Sequence, residues 1–517
     1  MQQDKKVLLR ISNLKQYFPL KKKGLFVKAN DGISIDIYAG ETFGLVGESG
    51  CGKSTLGRTL LQLYHQTDGR TMYYGRTLDE IAPLYVRDTI RSLEKRRSRL
   101  HELQRHRDHI KAEFEAIKED GKEKYAKQNE LAKAEKEAND AFLDITNLIG
   151  GFLMVEDLRP VVSIYMERYQ LSKKRRDAEY KLRMAKLKRD DLAFDIKRAQ
   201  QDKGAGPDYK KAQMQTTEAK IAADEAAIEA IKKELAGIMR RIEEMRKPYA
   251  DDPEFNRLEA YQDDGVDLAR LVYKEMRLLR SDLQLIFQDP YSSLNPRMTV
   301  GQIIGEGLLS HNFFNRNDDR MKEYILKTMD QCGLAAYFLH RFPHQFSGGQ
   351  RQRIGIARAL AVKPKFVVCD EAVSALDVSI QSQIINLLQD LREQEDLTYL
   401  FITHDLSVVK YISDRIGVMY LGSMVELADS AEIFRNPVHP YTEALLRAIP
   451  TTDVNASKDL SILEGDIPSP VNPPKGCKFH TRCQYCTEIC TQVVPEWSEV
   501  APNHFVACHH KLHQAQE

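Results

Sequence analysis

Apolar and polar positions alternate along this chain in two distinct rhythms. Between residues 7 and 85, short apolar runs broken by turn residues predict strands at "VLLRISN" (7–13), "ISIDIY" (33–38), "TFGLVGESG" (42–50) and "RTMYYGRTL" (70–78). From about 86 to 276, Lys, Arg, Glu, Asp and Ala dominate and turn signals are few. Here Leu93, Leu100, Leu103, Ile110, Phe114 and Ile117 recur at heptad-like steps, with Arg107 interrupting the seam. Ile221, Ile228, Ile231, Leu235, Ile238, Ile242 and Met245 repeat the pattern. Such spacing predicts paired helices. With "QDKGAGPDY" (201–209) as punctuation and a more apolar patch at 141–165, the simplest expectation is one helical hairpin with a less regular tip, inserted into a globular fold.

After residue 280 the globular rhythm returns. "LQLIFQDP" (283–290), "KFVVCDEA" (365–372) and "TYLFITHD" (398–405) read as strands, 298–345 as short helices and 429–449 as a helix. The Pro-rich "GDIPSPVNPPKG" (465–476) reads as a linker. The expected domains are 1–85 and 277–450 as two parts of one α/β core, 86–276 as a helical coiled-coil insertion, and 451–517 as a Cys-rich C-terminal extension.

Composition narrows the function classes. The 517 residues exceed one compact core, and the net charge of +1 argues against bulk attraction to nucleic acid. The start, "MQQDKKVLLRISNL", lacks a signal-peptide pattern, and the apolar run "LIGGFLMV" (148–155) is far short of the roughly 20 residues a membrane helix needs. A soluble, intracellular chain is expected, so stable disulfides are disfavoured for its eight cysteines.

The chemistry begins at "GLVGESGCGKST" (44–55), which follows a predicted strand and opens a predicted helix. Gly47, Glu48, Ser49, Gly50, Cys51 and Gly52 would wrap backbone N–H groups around phosphate oxygens, aided by the helix N-terminus. Lys53 would bridge β- and γ-phosphates, Ser54 would ligate Mg²⁺, and Thr55 would reach the α-phosphate. "FVVCDE" (366–371) ends a buried strand on two carboxylates with separate tasks: Asp370 for Mg²⁺, Glu371 to polarise the attacking water. In "QFSGGQRQRIGIARAL" (345–360), Ser347, Gly348, Gly349 and Gln350 open another helix and form a second anion cradle. One nucleotide needs one γ-phosphate cradle, so this one is read as facing the nucleotide of a second subunit.

With these motifs in this order, the chain resembles the ATP-binding cassette (ABC) ATPases, a P-loop α/β fold with a helical subdomain. The resemblance adds Tyr17 in "LKQYF" as the residue stacked on adenine, with Phe18 as the alternative. It adds Gln288 in "IFQDP" as a sensor of Mg²⁺ and the attacking water, Asp377 in "SALD" (374–377) as part of the loop communicating across a dimer, and His404 in "ITHD" as the γ-phosphate contact. Phe346 stands where leucine is commoner, and Ala372 where the nearest relatives often have proline.

"IFQDPYSSLNPRMTVGQII" (286–304), "NPVHPYTEALLRAIP" (436–450) and "EGDIPSPVNPPKGCKFHTRC" (464–483) look like one branch, the ATPase subunits of dipeptide/oligopeptide importers. That resemblance implies ATP and Mg²⁺ as ligands and a peripheral position on the cytoplasmic face of the cell membrane. It implies two transmembrane permease subunits, a second identical or homologous ATPase, and indirectly an extracytoplasmic substrate-binding protein as partners, with no nucleic acid. The surface from Tyr291 to Pro296 would meet a permease. The rival is a non-transport ABC ATPase of the coiled-coil chromosome or DNA-repair type, but there the helical block follows the glutamine loop, whereas here it precedes Gln288.

The tail "GCKFHTRCQYCTEIC" (476–490) and "HFVACHH" (504–510) place Cys477, Cys483, Cys490 and Cys508 at intervals of five, six and seventeen residues, with Cys486 extra. Four thiolates can hold tetrahedral Zn²⁺ or a [4Fe–4S] cluster. Resemblance to importer ATPases with this tail favours the iron–sulfur cluster, with zinc the alternative.

Overall fold

The computed structural model describes residues 5–117, 122–201, 208–374, 376–448 and 465–512. Two compact units emerge. One holds residues 1–75, 267–269 and 279–517, and the other holds 76–266 and 270–278. The second unit thus starts at Arg76, ahead of the expected 86. Among the described residues, no helix is long and apolar enough to cross a membrane.

The first unit is of mixed α/β type. Its main sheet has eight strands in the order 498–501, 504–506, 423–429, 415–420, 42–46, 398–402, 366–370 and 283–286. From 415–420 to 283–286 neighbours run parallel, with Leu45 paired to Ile402 and Cys369 to Phe401. "TFGLV", "FVVCD" and "TYLFI" are buried at every position, as strands covered on both faces must be. Their C-terminal ends carry the loops where ligands of parallel sheets gather. A separate sheet pairs strand Val7–Pro19 antiparallel with Phe26–Tyr38 and with Asp68–Tyr73. The strand expected at 70–78 therefore stops at Tyr73, and Thr77 caps a helical turn at Leu78–Ile81. The helix expected over 429–449 is two, Ser430–Arg435 and Pro440–Arg447, parted where Pro437 and Pro440 cannot donate backbone hydrogen bonds.

The second unit corrects the single-hairpin expectation. Four long helices, Leu93–Ala116, Lys122–Ile149, Arg159–Gln201 and Asp208–Arg246, pack as two successive pairs. Ion pairs give the direction. Glu113–Lys127 and Arg96–Asp144 join the first pair, and Glu167–Arg241 and Lys186–Glu225 the second, so both are antiparallel. At 1.5 Å per residue the 43-residue helix Arg159–Gln201 is about 65 Å long. The expected seams are buried at Leu93, Leu100 and Ile110, and at Ile221, Ile228, Leu235, Ile238 and Ile242, while Leu103, Phe114, Ile231 and Met245 are half-buried. The break expected within "QDKGAGPDY" lies at 202–207, outside the described residues.

The apolar patch noted at 141–165 is the root of this unit. Ile145, Ile149, Phe152, Leu158, Val161 and Ile164 share one core with Val86, Ile90, Leu93, Ile242, Phe255 and Leu258. Phe255 stacks on Tyr249 (5.1 Å between centroids) and meets Phe152 edge-on (5.5 Å). Gly151 makes this possible, since a Cβ there would come within 2.6 Å of the Phe255 ring. The two ends of the unit lie side by side, with Leu78 N–H donating to the Asp264 carbonyl (3.1 Å) and Leu84 N–H to the Glu275 carboxylate (2.8 Å).

Candidate functional site

The phosphate loop joins strand Thr42–Val46 to helix Lys53–Leu60. Two of its glycines are required by crowding as well as conformation. Gly47 (φ +150°) and Gly52 (φ +105°) would place a Cβ 2.2 Å from the Met419 carbonyl and 2.1 Å from the Ala29 carbonyl. Either contact would push the loop out of register. Lys53 is buried, and its Nζ donates to the carbonyls of Gly47 (2.7 Å) and Glu48 (3.0 Å), folding the loop around its own ammonium. Buried Asn30 adds a donor to the Gly52 carbonyl at 3.0 Å.

Sheet geometry brings the second half of the site to the first. Asp370, 1% exposed, ends strand Phe366–Asp370 and accepts the Ser54 hydroxyl at 2.5 Å and Arg58 Nη2 at 3.2 Å. Hard oxygen donors of this kind suit Mg²⁺. Glu371 adopts φ +46°, a left-handed conformation uncommon outside glycine, with its N–H donating to the Ile402 carbonyl (2.9 Å). Strain of this sort concentrates where a side chain must be aimed. Its carboxylate accepts Gln288 Nε2 at 2.7 Å and lies 3.6 Å from His404 Nδ1. Of the three residues expected from the sequence to carry hydrolysis, Glu371 thus meets both of the others.

A cavity of about 480 Å³ opens here, lined by residues 49–55, Phe18, Lys28, Gln288, Glu371, Gly422 and Pro470 among others. A larger one, about 560 Å³, lies against Lys6, Lys327, Lys363 and Lys365 and contains none of the motif residues, so chemistry rather than volume picks out the site. Phe18, not Tyr17, lines the cavity, and it meets Tyr64 edge-on. The Tyr17 hydroxyl is instead bonded to Asp31, and burial together with that bond raises its pKa. Burial works against ionisation of Asp31, yet Lys478 and the Tyr17 hydroxyl outweigh it and hold its carboxyl below the usual range. Pro470 shows that the stretch expected to be a linker is tied down, since its carbonyl accepts Lys28 N–H at 3.1 Å.

Ser347 does not line this cavity. It caps helix Gly348–Leu360 in a reciprocal box with Gln350 and is exposed, with buried Gly349 behind it. Asp377 likewise caps helix Val378–Glu395, accepting from Ile380 N–H and the Ser379 hydroxyl, which lower its pKa. Ala375 of the same "SALD" stretch lies outside the described residues.

The cysteines carry no disulfide among the described residues. Burial raises the Cys477 thiol to about 11 and Cys508 to about 12, and the like charges of neighbouring cysteines push the same way. Among the described residues, no three His, Cys, Asp or Glu side chains converge closely enough to hold a metal ion. Cys477 and Cys490 are joined through the backbone, N–H to carbonyl, at 2.8 Å.

The sequence reading missed Asn30, Arg58, Tyr441 and Arg482. The Tyr441 hydroxyl accepts Glu48 N–H (3.0 Å), and Arg482 clamps the Glu48 carboxylate at 2.8 and 3.1 Å. No local signal marks them, because each acts on a loop distant in sequence.

Comparison with known proteins agrees with this geometry. The family model described as "ABC transporter" matches residues 30–152 and 255–374, and "Oligopeptide/dipeptide transporter, C-terminal region" matches 425–490. The oligopeptide transport ATP-binding protein AppF of Bacillus subtilis is 52% identical over 248 residues, 47% of this chain and 75% of AppF. OppF of Salmonella typhimurium, with the same description, is 52% identical over 249 residues, 47% of this chain and 73% of OppF. Among solved structures, cbiO1 of Clostridium perfringens is similar at 14% identity and a TM-score of 0.41, covering 83% of this chain and 91% of cbiO1. The chain belongs to the ABC ATPases of oligopeptide transporters.

Proposed function

We propose that this chain hydrolyses ATP to power import of dipeptides or oligopeptides across the cytoplasmic membrane. The observation that carries it is the meeting of Glu371 with Gln288 and His404 beside the Ser54–Asp370 pair, in a member of this transporter family. Lys53 and the N–H groups of residues 47–55 would hold the phosphates, and Phe18 would face the base. Ser54, Asp370 and Gln288 would hold Mg²⁺, whose charge would offset that of the phosphates. Glu371 would orient and deprotonate the attacking water, while His404 contacts the γ-phosphate.

Two permease subunits and a second ATPase would complete the machine at the cytoplasmic face, with an extracytoplasmic binding protein delivering peptide. The exposure of Ser347 and Asp377, away from their own chain's cavity, supports a nucleotide sandwiched between two chains. The non-transport alternative is disfavoured by the oligopeptide transporter C-terminal match at 425–490. Residues 86–276 would be a coiled-coil insertion docking on the partner ATPase or a permease, and 451–517 a Cys-rich extension. For the latter a [4Fe–4S] cluster, or Zn²⁺, would take the unbridged thiols of Cys477, Cys483, Cys490 and Cys508, which would have to draw closer together than the described residues lie. Metal and sulfide content of anaerobically purified protein separates these two.

The decisive experiment is ATPase assay of the full chain with and without its permease pair, peptide and binding protein. Peptide-stimulated hydrolysis supports the reading. Hydrolysis stimulated by DNA and indifferent to permeases would overturn it.

A further inference from the structure

We infer that Arg482, inside the cysteine-rich tail, is a positioning residue of the phosphate loop, acting through Glu48 to keep a carboxylate off the bound phosphates. The inference rests on the nucleotide-site reading above and adds to it a function for the tail that requires no metal.

The stretch 476–490 was conspicuous for its cysteines, but the residues between them make the contacts. Phe479 is 2% exposed and packs against Tyr420 (5.2 Å) and Tyr441 (5.3 Å), anchoring the tail on the sheet. Tyr441 in turn accepts the Glu48 N–H through its hydroxyl. Lys478 reaches Asp31 (3.1 Å), the Leu421 carbonyl (3.2 Å) and the Ser423 hydroxyl (2.7 Å), on strands Phe26–Tyr38 and Ser423–Asp429 and the turn before the latter. Arg482 completes the attachment with two parallel bonds to Glu48 Oε2 and Oε1, its side chain only 5% exposed, and it lies 3.5 Å from the Tyr420 hydroxyl. Of these three anchors, one apolar and two cationic, Arg482 is the one that grips the segment that would wrap the phosphates.

Glu48 is the acid inside the phosphate loop and would confront a ligand carrying several negative charges. A bidentate guanidinium fixes both the charge and the direction of a carboxylate, which an exposed lysine would not. Without it the Glu48 side chain is free to turn toward the cavity, where it opposes phosphate and competes for Lys53. The chief effect falls on nucleotide affinity, because Glu371 and Gln288, which would meet the attacking water, bond to each other elsewhere in the site.

The test uses the full chain, with fluorescent ATP-analogue binding and the KM and kcat for MgATP measured on Arg482→Ala, Arg482→Lys, Glu48→Gln and the Arg482→Ala/Glu48→Gln double variant, each checked by circular dichroism. Loss of a charge-assisted clamp is expected to raise KM about fivefold to tenfold in R482A, with kcat changed less than about twofold. R482K should recover part of the loss. In the double variant the R482A effect should vanish, since the acid it restrains is gone. A KM unchanged in folded R482A, or raised equally with and without Glu48, overturns the inference. Arg482→Gln keeps more of the side chain and supplies the same comparison if the alanine variant does not fold. Lys53→Ala separates the two readings. If it binds the analogue as tightly as the unaltered chain, the nucleotide site itself is misassigned and both fall. If only K53A loses binding, the role of Arg482 alone falls.

Discussion

The ATPase unit and the helical unit solve the same problem, burying apolar surface, at opposite densities. In the first, strands Thr42–Val46, Phe366–Asp370 and Thr398–Ile402 are buried at every residue, and their core extends without interruption into the helices around Ile304, Met329 and Ile354. In the second, the outer part of the first helix pair rests on a cluster as small as Ile110, Leu131 and Ala134, with Phe114 alongside, while the dense packing gathers at the root around Phe152 and Phe255. Rigidity is therefore spent where atoms must be held to fractions of an ångström. The long helices need only reach, and sparse seams with many surface ion pairs suffice for that. Local stability should decline from root to far end of each pair, as few buried contacts per turn imply.

Four substitutions test this contrast. The largest effect belongs to Glu371→Gln, which should lower kcat about 10³-fold to 10⁴-fold while ATP binding persists, because it would remove the proposed base and leave the proposed phosphate cradle. Retained hydrolysis would mean that the meeting of Glu371 with Gln288 and His404 is not the catalytic one. Next, Phe255→Ala should destabilise the helical unit by about 4 kcal/mol in denaturant unfolding, as an aromatic removed from a packed core does. An effect below about 1 kcal/mol would show that the root is as loosely held as the shafts.

In the ATPase unit, buried His439 should make stability pH-dependent. Burial pushes its pKa from 6.5 down to about 4, with Glu426 opposing, while its Nδ1 accepts Tyr441 N–H at 3.0 Å. Below the unfolded value the unfolded chain takes up a proton that the folded one refuses. Stability is thus full above about pH 6.5 and declines by about 3 kcal/mol as pH falls through 4. His439→Asn, which can still cap the helix, should flatten that part of the profile in thermal melts. The smallest effect is expected at Lys186–Glu225, an ion pair with side chains 43% and 50% exposed. Lys186→Ala should shift stability by less than about 1 kcal/mol, and less still at high salt.

The sequence exposed different parts of the two units to different depths. The loop at 44–55, the carboxylate pair 370–371 and the helix opened by Ser347 were legible because local backbone demands dictate their residues, such as glycine at 47 and 52 where any Cβ would strike a carbonyl. The seams from Leu93 and Ile221 were legible from spacing alone. The number of helix pairs was not, because the first link, between Ala116 and Lys122, carries only Gly121 as punctuation amid charge. The role of the 141–165 patch as a root was not legible, because apolarity alone does not tell a tip from a root. Arg482 escaped notice for another reason: its partner lies 434 residues earlier, and the cysteines around it drew the chemistry elsewhere.

The side-by-side ends of the helical unit, joined at Leu78 and Asp264, bear on ancestry. A segment whose two ends are neighbours can be gained or shed in a single in-frame genetic event, with a tight turn closing the scar. Lineages of such ATPases can thus differ in gene length by nearly two hundred codons while the nucleotide machinery descends unaltered, and the helices are then free to diverge under selection of their own.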